Sequence, residues 1–417
     1  MKASIVSSTI GNILEWYDFG LFTLYSALFS RIFFPITNPH TAMIATFSIF
    51  AIGFFCRPVG ALIFGYLGDK IGRARTLRLS ILMISLPTLL IGFLPTYHQI
   101  GIAAPILLTL VRMWQGISIG GEYSGNVIYL AEVSPKKHRA FFASLASMGA
   151  NLGILLAGIV GIISTQFLSE KILSSWGWRI PYLLSGIISI LIYQFRLRIQ
   201  ETNVFERLKI HHQIVNNPIS TVFEKNLFEL LRTLGLVLMG STFYYFCFIY
   251  IPVYLTEHEY ANKKMLPILM TFFVSLMIFL APMAGWICDR IGRRKMFLFN
   301  ASFIFLIIVP GFYMLQHDYF LIAVLFVFTL ASSSEQGVTL ITIVENFPAP
   351  ARYTGLSLAY NIGNGFLGGT VPIICAWLLT ITGFTLAPAF YIAFCTLITL
   401  LVVFFFVPET KGKSLNN

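Results

Sequence analysis

The sequence predicts an all-α membrane protein with twelve transmembrane helices in two pseudo-symmetric six-helix bundles. Three observations carry this expectation: an extreme apolar composition, roughly twelve apolar runs of spanning length, and two motifs that each recur in the second half of the chain. Of 417 residues, 57% are hydrophobic and only 11% charged, with a mean hydropathy of +0.80. An average soluble domain carries about twice that share of charge, and 40 Phe exceed what one water-soluble core could bury. Five Cys at no regular spacing make no disulfide framework. The chain lacks the polar, low-complexity sequence of a disordered protein, and no Cys or His spacing suits a metal.

A bilayer core about 30 Å thick takes about 20 apolar residues to cross. Such runs fall near residues 5–30, 42–67, 77–97, 102–131, 140–166, 179–197, 229–256, 266–288, 296–315, 319–344, 354–381 and 386–407. They are about twice the length of a barrel strand and do not alternate, which excludes an outer-membrane barrel. No charged n-region with a small-residue cleavage site precedes the first run, so Met1 onward reads as mature protein.

Charge gives the orientation. With twelve spans, both termini and the loops after spans 2, 4, 6, 8 and 10 share one side. That side carries 21 of the 28 Lys and Arg, and the other only Arg31, Lys171, Arg179, Lys263 and Lys264. Arg57 and Arg112 remain inside spans. The positive-inside rule then places both termini in the cytoplasm, so the net charge of +11 is a topology signal and not a nucleic-acid footprint.

The segment Gly65 to Arg73 recurs as Gly285 to Arg293, offset by 220 residues. Glu132, Pro135, Arg139, Ser144, Leu145, Ala146 and Asn151 recur as Glu345, Pro348, Arg352, Ser357, Leu358, Ala359 and Asn364, offset by 213. Two repeats at nearly one offset predict homologous halves: 1–200 as the first bundle, 201–226 as a polar linker and 227–417 as the second bundle. Parallel halves of this kind place a substrate site at their interface near the midplane.

These residues resemble the major facilitator superfamily. Gly65 to Arg73 and its repeat are similar to that superfamily's Gly-x-x-x-Asp-Arg-x-Gly-Arg loop. Within the superfamily, the chain resembles the metabolite:proton symporter family of proline/betaine, α-ketoglutarate, citrate and shikimate importers. The match rests on Gly11 to Phe19 (GNILEWYDF), Phe55 to Gly60 (FCRPVG), Arg112 to Tyr123 (RMWQGISIGGEY) and Gly177 to Tyr182 (GWRIPY). It continues through Phe347-Pro348, Arg352 to Leu358, Gly368 to Pro372 and Pro408 to Gly412. Osmosensing proline/betaine members carry a long C-terminal coiled-coil extension. This sequence stops at Asn417, about ten residues past its last run, so osmotic gating by such a tail is not expected.

Several polar residues sit where apolar ones are the rule. Glu15 and Asp18 lie three apart in the first run, on one helix face. Ionisable groups at membrane depth face a cavity or a partner; the pair reads either as a proton-handling site with mutual repulsion or as a structural salt bridge. Arg112 matches the superfamily's Arg-x-x-Gln-Gly element, which the resemblance associates with proton coupling; the alternative is a fixed counter-ion to Glu15 or Asp18. Gln115 shares its face. Arg57, before Pro58, binds a substrate anion or neutralises a carboxylate. Glu122, after Gly120-Gly121, is a proton-exit group or part of the cytoplasmic network. In the second half, Glu335 follows Ser332-Ser333-Ser334, and Tyr244, Tyr245 and Tyr250 offer polar tips on apolar rings; all are candidates for substrate contact or for packing. By the resemblance, Asp69 and Asp289 contact helix N-termini of the opposite half. Arg73 and Arg293 pair with acids such as Glu132 or Glu345, and these six residues, with Arg139 and Arg352, form a gate that stabilises the outward-facing state.

The expectation is therefore a secondary active importer. A proton gradient drives uptake of a small polar metabolite, a carboxylate or zwitterion, by alternating access. No ATP-binding motif is present, no nucleophile–base pair points to an enzyme, and no cofactor besides the coupling proton is called for. The rivals are an exporter of the same fold and a solute receptor without turnover. The setting is a bacterial inner membrane. The partners are a small-molecule substrate and the lipid bilayer, with no nucleic acid, and the protein is read as a monomer.

Overall fold

A computed structural model describes residues 2–34, 39–258, 265–317 and 320–416. Lys263 and Lys264 lie outside the described residues, as does the side chain of Lys2. In a hydrocarbon environment every backbone amide must be satisfied within its own segment, and helices do this. Each apolar run accordingly forms a helix. Span 1 is Lys2–Leu24, continued beyond Tyr25 by Ser26–Phe33. Spans 2 to 6 are Pro39–Lys70, Arg73–Phe93, Ala103–Val133, Arg139–Phe167 and Arg179–Arg196. Span 7 runs through Leu227–Tyr245, a π-helical turn Phe246–Tyr250 and Ile251–Glu257. Spans 8 to 10 are Met265–Ile291, Arg293–Gln316 and Leu321–Asn346. Span 11 joins Arg352–Asn361, a π-helical stretch Ile362–Gly368 and Val371–Thr382, and span 12 is Ala387–Phe406.

Among the described residues, 9 helices are long and apolar enough to cross a membrane by length and composition alone, or 10 with the bent pair ending in span 6. Spans 1 and 2, which carry Glu15, Asp18 and Arg57, complete the twelve. The two halves meet along symmetric helix pairs: span 5 packs on span 8, and span 2 on span 11. Within the first half, spans 2 and 4 touch backbone to backbone. A Cβ at Gly120 would overlap the Arg57 carbonyl oxygen and lie 2.6 Å from the Ala61 nitrogen. The segment after span 6 is more than a polar connector. Its helices Asn203–Ile210 and Pro218–Lys225 bury Val204, Phe205, Leu208 and Val222 against the end of the molecule that carries both termini.

Candidate functional site

At that terminal end the two repeated loops reach across to the opposite half. Asp69, at the end of span 2, accepts hydrogen bonds from the backbone amides of Tyr353 (3.1 Å) and Thr354 (2.9 Å) at the start of span 11. Asp289 does the same with Ala140 and Phe141, both at 3.0 Å, at the start of span 5. The unsatisfied amides and partial positive charge of a helix N-terminus make each a natural carboxylate partner. Arg73 pairs with Asp69 at 3.3 Å and Glu132 at 3.5 Å, while its guanidinium donates to the Ala349 carbonyl in the other half (2.7 Å). Arg293 mirrors this with Asp289 and Glu345, both at 3.1 Å. Glu132 also meets Arg352 across the interface at 2.9 Å. Arg139 donates to the Lys413 carbonyl at 2.6 Å, because the chain after span 12 folds back beneath the bundle and reaches it.

Four residues missed from sequence complete this end. Glu201 caps the amides of Arg73 and Ala74, and Glu409 those of Arg293 and Arg294. Thr202 donates to Glu132 at 2.6 Å, and Thr410 to Glu345 at 2.5 Å. The caps sit against Gly72 (φ +116°) and Gly292 (φ +109°), a backbone region that disfavours side chains, and either glycine's Cβ would overlap the glutamate. The repeated Glu-Thr dipeptide at 201–202 and 409–410 was the legible signal. Burial pushes the Glu201 carboxyl up, only partly offset by the amides of Thr202 and Ala74. In the more exposed Glu409, burial also acts upward, but the amides of Lys411, Arg293 and Arg294 outweigh it and hold the carboxyl below its usual value.

The halves line a cavity of about 80 Å³. Its walls include Trp16, Tyr123, Asn151, Tyr244, Tyr245, Glu335, Tyr360 and Asn364, contributed by spans 1, 4, 5, 7, 10 and 11. Tyr123 and Tyr360 stack across the interface at 4.9 Å between ring centroids, and Asn151 donates to Gln336 of the other half at 3.1 Å. The π-helical stretches of spans 7 and 11 flank this cavity, one just after Tyr245 and the other containing Asn364. Arg57 lies beside it. Its guanidinium stacks over Phe54 at 4.1 Å and Phe19 at 4.6 Å, and reaches 6.0 Å from the Trp16 ring. Among the described residues its Nε and Nη2 have no hydrogen-bond partner, and Tyr245, Glu15 and Tyr360 act electrostatically on its charge.

The remaining candidates lie inside the first half. Gln115 donates to Asp18 at 2.7 Å and Thr88 at 3.1 Å and accepts from Arg112 at 2.8 Å, while Arg112 pairs with Asp18 at 3.5 Å and covers Phe22 at 4.0 Å. Gln115 is thus bound into this cluster, not into the cavity wall. Glu15 and Asp18 turn to different surroundings: Asp18 forms a salt bridge with Arg112, the structural one of the two readings. A three-residue step turns a helix by about 60° from full register, which is enough to aim Asp18 at span 4 and leave Glu15 without a hydrogen-bond partner. Glu122 is bound by Arg196 of span 6 and by Ser80, a buried counter-ion that the sequence reading had not paired with it. Tyr250 packs in the second half's core against Phe246 and Tyr254. Among the described residues, no group of His, Cys, Asp or Glu could hold a metal ion.

Two six-helix halves locked at one end around a polar-aromatic cavity define a multi-pass carrier of small solutes. The Major Facilitator Superfamily profile matches residues 8–315 and 261–417. A putative proline/betaine transporter of Staphylococcus aureus (strain COL) is 35% identical over 99% of this chain and 90% of its own length. The glycine betaine/proline/ectoine/pipecolic acid transporter of Dickeya dadantii (strain 3937) is 33% identical over 100% of this chain and 85% of its own. Among solved structures, a proton:xylose symporter bound to 6-bromo-6-deoxy-D-glucose superposes with a TM-score of 0.80 at 16% identity, covering 99% of this chain and 97% of that chain. The transporter FucP in the outward conformation gives 0.71 at 14% identity, covering 96% and 98%. The chain belongs to the major facilitator superfamily, and it is a transporter of small solutes, not an enzyme.

Proposed function

We propose that the protein imports a small carboxylate-bearing solute of the proline or betaine kind together with a proton, across a bacterial inner membrane, by alternating access. The observation that carries this reading is the cavity between the halves with Arg57 beside it, a permanent charge that among the described residues has no carboxylate within ion-pair distance. A substrate carboxylate is the partner that its planar fork fits, and the names of the relatives point the same way.

Coupling falls to the Asp18–Arg112–Gln115 cluster. A proton on Asp18 removes the charge that holds Arg112, so the cluster has two arrangements, one for each protonation state. The gate closes the terminal end, and the excess of 21 cations over 5 supports placing that end in the cytoplasm; the cavity then faces outward. The bundles 1–200 and 227–417 rock about it with 201–226 as the connection, and one chain suffices. No cofactor is required.

The test is uptake of labelled glycine betaine or proline into proteoliposomes. Accumulation should follow an imposed inward proton gradient and collapse with a protonophore. Uptake indifferent to the gradient removes symport, and gradient-driven extrusion in its place makes the protein an exporter.

A further inference from the structure

Glu122 and Glu335 hold equivalent places in the two halves, because the 213-residue offset relating Glu132 to Glu345 also relates them. Each carboxylate lies against a glycine on the first span of its own half, Gly11 for Glu122 and Gly240 for Glu335, where a Cβ would overlap it. From there the halves diverge. In the first, Arg196 in the last turn of span 6 donates to Glu122 through both terminal nitrogens. Span 12, its counterpart, contains no charged residue at all. Among the described residues, no basic side chain pairs with Glu335 and none lines the cavity. Around this carboxylate the cavity supplies the rings of Tyr123, Tyr244, Tyr245, Tyr360 and Trp16, with uncharged polar side chains such as Ser241, Gln336 and Thr339 between them.

We infer that Glu335, with the rings of Tyr123, Tyr244 and Tyr360, is a subsite for the alkylated ammonium group of the substrate, filling with solute the place that Arg196 fills in the first half. This rests on the carrier reading above and narrows it from any small carboxylate to zwitterions whose cation is a secondary or quaternary ammonium. A buried carboxylate without a counter-charge is costly. An alkylated ammonium is cheaper to strip of water than a primary one, pairs with the carboxylate and gains from ring faces around it. A simple organic acid brings no cation and adds a second negative charge, so this subsite rejects it.

Carbon isosteres test this directly. 3,3-Dimethylbutanoate has the shape and carboxylate of glycine betaine without its positive charge, and cyclopentanecarboxylate stands in the same relation to proline. Equilibrium binding to the purified full-length protein should favour each zwitterion over its isostere by about tenfold or more. In Glu335→Gln, checked as monodisperse in detergent, that preference should shrink to about threefold or less. Equal binding of zwitterion and isostere by the unaltered protein overturns the subsite without recourse to any variant; so does an undiminished preference in Glu335→Gln. Proteoliposome uptake separates this from the transport reading. Zwitterion binding with the predicted preference but no gradient-driven uptake sinks the transport reading and keeps the subsite. Gradient-driven betaine uptake that the isostere inhibits as well as betaine itself does the reverse.

Discussion

Five of the largest fully buried side chains are arginines, Arg73, Arg112, Arg196, Arg293 and Arg352, and their partners divide them between the terminal end, the Asp18 cluster and the Glu122 pair. Arg196 belongs to the scaffold: besides Glu122 it donates to the Leu77 carbonyl at 2.6 Å, tying spans 3, 4 and 6 together. Arg196→Met leaves Glu122 buried and unpaired, and should cost about 3–5 kcal/mol. A lower melting temperature of the solubilised protein checks this. Adding Glu122→Met should recover most of the loss, since a well-packed apolar pair is often no worse than a buried ion pair. Asp18 behaves differently because its partners are a network and not one dedicated ion. Asp18→Asn keeps the shape and the Gln115 contact but cannot gain or lose a proton. It should retain solute exchange down a concentration gradient while losing pH-driven accumulation, and full accumulation by this variant would place the coupling elsewhere.

Along the helices, glycine decides how closely spans approach. Gly116 of span 4 faces Gly53 of span 2, and Gly60 of span 2 faces the Ile117 backbone of span 4. Small residues at such contacts replace the hydrophobic drive that a bilayer does not supply. Gly120→Ala puts a methyl against backbone that cannot swing aside, and overpacking of this kind costs about 1–3 kcal/mol. The expected result is reduced thermal stability, with transport falling as well because Arg57 rides on the displaced span 2. The Gly120-Gly121 pair was legible as a site of close approach. That its partners are Arg57, Ala61 and Phe64 was not, since spacing along one helix does not say which neighbour faces it.

Across the molecule, carboxylates of one half sit on helix ends of the other, the arrangement proposed above as the gate. Charge at a helix N-terminus contributes about 0.3–2 kcal/mol. Asp69→Asn with Asp289→Asn should therefore shift the conformational balance toward a state open at the terminal end. Cys288, fully buried beside Asp289, reports this. With the other cysteines replaced, its maleimide labelling should accelerate several-fold in the double variant, and an unchanged rate would remove these aspartates from gating. The Arg139 and Arg352 guanidinium groups also hold the carbonyls of Lys413 and Leu415. Removing residues 411–417 should accordingly speed the same labelling in the unaltered background.

The twelve helices and the internal duplication were readable from the chain, because run length and repeated strings are local properties that survive without coordinates; the pairing of each loop aspartate with the opposite half followed only from the resemblance to the superfamily's loop. Which buried charges were already satisfied was not. Glu122 and Glu335 look alike in sequence, each a carboxylate after small residues within an apolar run. Only the tertiary structure distinguishes them, by bringing Arg196 from 74 residues away onto the first and leaving the second beside a cavity of aromatic rings. The cause is rotation and approach of whole helices: a partner for a buried charge is chosen by which face meets which, and no one-dimensional pattern encodes that.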